Sequence, residues 1–216
     1  MTKIDKFIEK LNNIIPASLF GLLSITSGIL GDIIALLMYP EYNFMEMAVS
    51  ALCLGPGGLF FNLGNIFSGA FALIFVNYFR STFIKKENNK NLINGANISA
   101  NIACISFIIL GIFCGSNIVI QYLHGIAAII SYIFGLCYIT LFNILMIRDS
   151  NYSEYLGYFG FFVSSIFALL IVLFFLHLFP VLRFIMEILP LIEWISTVAV
   201  ILWYFFVPIY MIHKKI

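Results

Sequence analysis

Five side chains attract attention because they sit where polar groups are costly. Asp32, Asn62, Asn65, His124 and Glu193 all lie within long apolar runs. An ionised group at the centre of a bilayer costs about 3 kcal/mol even on insertion scales. Acids kept at that cost are functional candidates by default. The chemistry they offer is specific. Asparagine amides and an imidazole N–H can donate to a carboxylate. No Lys or Arg is predicted at the depth of Asp32 and Glu193, so each acid is either neutral or balanced by a bound cation. Glu46 and Ser50 stand in the segment just before the second apolar run, and loop residues of that kind suit ligand contact. His124, Asp32 and Glu193, with His177 or Glu46 as a fourth group, would supply zinc-type ligands. Their spacing matches no local metal motif, and the sequence assigns no metal or cofactor. A Ser50–His124 nucleophile pair lacks the strand-turn-helix elbow such a pair uses. The chain has fifteen asparagines, and hydrogen bonding between helices is the ordinary role of an intramembrane amide. Ordinary packing likewise competes with chemistry at His124.

The elements that hold these residues can be read from their spacing. Gly58, Asn62, Asn65, Gly69 and Ala72 alternate by four and three, which is one stripe of a helix. His124, Ala128, Ser131, Gly135, Tyr138 and Phe142 form a second stripe. Ser24, Gly28 and Asp32 form a third, and Glu193, Thr197, Val200 and Tyr204 a fourth. Small residues on a stripe permit close helix approach, so these faces turn toward other helices and away from lipid.

The whole composition agrees. Of 216 residues, 62% are hydrophobic and only 10% charged, with a mean hydropathy of +1.07. A soluble surface cannot be built from so few charges, and nothing suggests a nucleic-acid partner. The expected class is an all-α polytopic membrane protein, a six-helix bundle forming a single domain over residues 1–216. Spans are expected near 18–38, 57–79, 102–120, 123–147, 155–178 and 188–212. Residues 1–16 carry apolar residues on one helical face and are expected to lie in the headgroup plane as an amphipathic arm. The loop from Lys85 to Asn94 is expected to be polar and mobile. Pro190 and Pro208 are expected to flank the sixth span. Cys53, Cys104, Cys114 and Cys137 contain no C-x-x-C pair, so they read as apolar packing residues with no disulfide framework. Gly111-x-x-x-Gly115 suits packing within the chain or against a second copy.

Ten of the eleven basic residues fall on the N-terminal arm, the second and fourth connections and the tail; Arg183 alone is opposite. The positive-inside rule then places both termini in the cytoplasm of a cell-membrane protein. On that topology, the five polar residues share the outer half of the membrane.

The segment AVSALCLGPGGLFFNLGNIFSGAF (48–71) resembles the signature of domain-of-unknown-function family 998, a group of archaeal and bacterial membrane proteins. Ser50, Leu52, Gly55, Pro56, Phe61, Asn62 and Gly64 fill the pattern. His124, Glu193 and Trp203 are also familiar positions. The family looks distantly similar to the damage-regulated autophagy modulator and GPI-remodelling group, which implies a lipid-related role.

Three functions compete at this level. The first is an outward-facing pocket that binds a lipid headgroup or small polar ligand through Asp32, Glu46, Ser50, Asn62, Asn65, His124 and Glu193. The second is an intramembrane lipid-modifying enzyme with His124 as general base, with or without a metal. The third is a proton-coupled transporter, although repeated halves and broken helices are not visible.

Overall fold

The computed structural model describes residues 10, 12, 15–84, 89–176 and 185–216. Most of the amphipathic arm, the basic stretch 85–88, His177 and Arg183 lie outside the described residues. Six long helices follow one another: α1 (Leu19–Leu37), α2 (Gly58–Phe83), α3 (Lys90–Ile112), α4 (Ile118–Arg148), α5 (Glu154–Leu176) and α6 (Ile185–Lys214). A short 3-10 helix, Val49–Leu54, stands between α1 and α2. No strand occurs among the described residues. All six helices are long and apolar enough to cross a membrane.

Sequential neighbours pack against each other around the bundle, and α6 returns to α1. The helices therefore form a closed ring in chain order. Leu30, Ile33, Leu63, Phe67, Ile105, Phe162, Leu169 and Val198 are exposed on its outside. That is the surface expected where the solvent is acyl chain.

The ring is filled differently at its two ends. Toward the chain termini lies an aromatic plug of Phe75, Phe79, Phe83, Phe142 and Trp203, each no more than 1% exposed. Rings meet edge-on or stacked through this plug, with Phe79 touching Phe75, Phe83, Phe142, Tyr152 and Trp203. Trp203 donates its indole N–H to Asn143 Oδ1 at 3.2 Å inside it. At the opposite end, a smaller core joins Ala35, Val49, Leu52 and Phe61, with Tyr42 and Trp194 packed against it.

Close backbone approach brings α1 onto α2. A methyl group on Gly31 would lie 2.7 Å from the Phe60 carbonyl oxygen and 2.9 Å from Gly64 Cα, so only glycine fits there.

Four expectations need correction. The third span begins at Lys90, well ahead of Ile102. Asn89 caps it by accepting from the Leu92 N–H at 3.1 Å, and the polar residues that followed a loop pattern pair with α2. Asn77 donates to Asn101 Oδ1 at 2.8 Å, and Asn101 donates to Asn97 O at 2.7 Å. Second, Pro190 and Pro208 both lie within α6, which runs through them. Third, Cys53 and Cys114 form a disulfide, with Cα atoms 6.0 Å apart across a sequence separation of 61. Cys104 and Cys137 are the free thiols. Fourth, Gly111 packs against α2 inside the chain, where an added methyl would lie 2.7 Å from Asn62 O, and Gly115 falls beyond the end of α3. The two glycines therefore do not make one helical face for a second copy.

Candidate functional site

Between the two cores lies a cavity of about 280 Å³ to which all six helices contribute. Its size is close to the lower end of the range for small-molecule sites, about 300–1,000 Å³. Residues Ser24, Gly28 and Asp32 enter from α1, and Asn65, Ser68 and Gly69 from α2. His124, Ala128, Ser131, Tyr132, Gly135 and Tyr138 enter from α4, and Glu193, Thr197, Val200 and Tyr204 from α6. The four-three stripes thus face one space because a ring of helices turns every inward stripe toward its axis. From Glu193 to Tyr204 the α6 axis rises about 16 Å, so the cavity runs from the small core down to the plug.

The sequence candidates divide. Asp32, Ser50, Asn65, His124 and Glu193 line the cavity. Asn62 does not: it lies at the α2–α3 contact, where its carbonyl meets Gly111. Glu46 is exposed and is not in the cavity wall.

Glu193 anchors the cavity's upper rim. The Ser50 backbone N–H donates to Glu193 Oε1 at 3.2 Å, and the Ser50 and Tyr132 hydroxyls interact with the same carboxylate. The 3-10 helix is therefore held across the bundle to α6. The disulfide holds it a second time, joining Cys53 to the α3–α4 connection.

Next to Glu193, Trp194 donates its indole N–H to the Tyr42 hydroxyl at 2.9 Å. Tyr42 in turn donates to the carbonyls of Met47 and Ala48, at 2.8 and 2.7 Å. Burial pushes the Tyr42 phenol above the usual tyrosine range; the Trp194 N–H opposes this, and the carboxylates of Glu193 and Asp32 add to it.

His124 has two faces. Its Nδ1 lies 3.2 Å from Leu110 O and 3.1 Å from Phe113 O. These carbonyls belong to the end of α3, where helical carbonyls lack intrahelical partners. Carbonyls only accept, so Nδ1 carries the proton and Nε2 is left as an acceptor. Nε2 is buried and has no hydrogen-bond partner among the described residues.

Asn65 is only 6% exposed and Asp32 is half-buried. Neither side chain makes a hydrogen bond among the described residues. By contrast, Ser24 and Ser68 hydroxyls bond each other at 3.1 Å. At the floor, Tyr138 donates to Tyr204 at 3.2 Å, with Cys104 beside them. Among the described residues, no three His, Cys, Asp or Glu side chains gather closely enough to hold a metal ion.

Sequence reasoning did not single out Tyr132 or Ser68. Ser68 could have been found, since it lies one helical step beyond Asn65. Tyr132 could not, because its role depends on where α6 sits.

A ring of six membrane-length helices around a largely apolar cavity with a few polar groups defines a multi-pass integral membrane protein. Residues 22–209 match the family described as Protein of unknown function (DUF998), and the chain belongs to that family. Neither the curated proteins nor the solved structures include a match.

Proposed function

We infer that the protein binds a lipid headgroup or small polar ligand in this cavity, reached from the outer face of the cell membrane. One observation carries the reading. Asp32 and Asn65 line the same cavity as Glu193 and His124, and neither spends its side-chain hydrogen-bonding capacity among the described residues. Unmade hydrogen bonds in a buried site cost about 1–3 kcal/mol each, and an occupant that makes them recovers that cost.

The orientation rests on two independent supports. Arg80, Lys90, Arg148, Lys214 and Lys215 stand at the helix ends away from the cavity, as cytoplasmic basic residues do. The Cys53–Cys114 disulfide sits at the cavity end, and disulfides persist in oxidising compartments.

The test is thermal unfolding of delipidated protein with and without lipid extract from the native membrane. The extract should raise the midpoint, and Asp32→Asn or Glu193→Gln should abolish the rise. An equal rise in both variants would remove this reading.

One observation favours a second reading, lipid modification. His124 is in the cavity wall, and its fixed tautomer leaves Nε2 unprotonated, the form a general base uses. Turnover of lipid extract that His124→Gln abolishes without lowering the unfolding midpoint would support it. Absence of turnover would exclude it.

A further inference from the structure

We propose that the cavity receives a primary ammonium group carried on an apolar tail. This deepens the binding reading and rests on it. The argument begins with the balance of donors and acceptors. Asp32 and Glu193 are the ionisable acids in the wall, and the wall contains no Lys or Arg among the described residues. His124 adds a third acceptor, Nε2, because its one N–H is already spent on the α3 carbonyls. Asn65, more than nine-tenths buried and unbonded, adds an amide oxygen that accepts and an NH2 group that donates. The upper cavity thus holds two acids and no compensating cation among the described residues.

An anionic headgroup would meet two carboxylates and no basic side chain. A neutral hydroxyl would satisfy one or two acceptors and bring no charge to the acids. A quaternary ammonium would balance charge but bring no N–H. A primary ammonium brings a positive charge and three donors, so it alone answers both deficits. Pairing matters most here, since a buried charge is costly when unpaired and tolerable when paired.

The tail follows from the rest of the wall. Below the acids, the cavity passes Ile25, Phe107, Ala128, Gly135 and Val200. It ends on the Tyr138–Tyr204 pair above the aromatic plug. A small hydrophilic amine would leave that length unfilled. Two sources share the required chemistry: an aminophospholipid headgroup and a free single-chain amine.

The experiment is a panel of probes on wild-type protein in neutral maltoside micelles, read by thermal unfolding. Tetradecylamine, tetradecanol, tetradecanoate and tetradecyltrimethylammonium are compared at equal mole fraction. Nanodiscs of phosphatidylethanolamine and of phosphatidylcholine are compared separately. Tetradecylamine should raise the midpoint while the other three single-chain probes do not. A higher midpoint in phosphatidylethanolamine than in phosphatidylcholine identifies the lipid source, and equal midpoints identify the free amine. Asp32→Asn and Glu193→Gln should each weaken tetradecylamine about tenfold or more, the loss of one charge-assisted hydrogen bond.

Equal stabilisation by tetradecanol or tetradecyltrimethylammonium, or a preference for tetradecanoate, would overturn the ammonium assignment and leave the binding cavity standing. Failure of every probe together with native lipid extract would remove the cavity reading itself.

Discussion

Substituting Gly31 tests whether the α1–α2 seam is as tight as it looks and whether the cavity depends on it. A methyl on Gly31 meets only backbone: Phe60 O at 2.7 Å, Gly64 Cα at 2.9 Å and Gly64 N at 3.4 Å. Backbone cannot rotate aside, so α1 must retreat by about 0.7 Å to reach ordinary contact at 3.4 Å. Overpacking of this kind costs about 1–3 kcal/mol. Alanine returns about 1 kcal/mol through helix propensity. Gly31→Ala should therefore lose about 1 kcal/mol net at the centre of those ranges. Gly95→Ala is the control: its methyl would find only Leu141 Cδ1, at 3.6 Å. With no overpacking, it should gain up to about 1 kcal/mol. The assay is tryptophan-fluorescence melting of both variants and wild type in one detergent. Asp32 adjoins Gly31, so the retreat of α1 should also reduce stabilisation by lipid extract. A Gly31→Ala midpoint at or above wild type, with Gly95→Ala behaving as expected, would refute the seam.

The remaining predictions are narrower. Denatured without reductant, the protein should take up maleimide at Cys104 and Cys137 only; uptake at Cys53 or Cys114 before reduction would contradict the disulfide. Glu193→Ala should lower stability by about 2 kcal/mol, because the Ser50 N–H loses its acceptor, whereas Glu193→Gln keeps a carbonyl there and should lose less; equal midpoints for Ala and wild type would contradict the clasp. The Tyr42 phenol ionises at higher pH folded than unfolded. Its contribution to stability is thus whole below the ordinary tyrosine value of 10.0 and is lost as pH rises past it. Tyr42→Phe should flatten the alkaline fall in melting temperature, and superimposable profiles would count against the burial of Tyr42.

Much of the fold was legible because lipid imposes a simple code. Twenty apolar residues announce a helix, and a stripe of small and polar residues announces its inward face. That code placed Asp32, Asn65, His124 and Glu193 on inward faces, which the ring then turns toward one axis. It misplaced the start of α3 because Asn91, Asn94, Asn97 and Asn101 look like a loop. The Asn101 amide is absorbed by Asn77 of α2, a partner that only tertiary packing supplies. Asn62 shows the limit of periodicity. It shares a stripe with Asn65, yet it is not in the cavity wall, and spacing alone does not separate the axis from the neighbouring helix. Cys53 and Cys114 show another limit. Their pairing depends on the 3-10 helix folding over the α3–α4 connection, which no local pattern encodes.

The most direct test of the account is native mass spectrometry of the protein released from mild detergent, comparing wild type with Ala128→Phe. Ala128 lines the cavity, so phenylalanine there occupies the space an amphiphile would use. Wild type should carry a single retained amphiphile, and Ala128→Phe should fly bare at the same folded charge states. An equal adduct on both proteins, or none on wild type after exposure to native lipid extract, would contradict the cavity as a binding site.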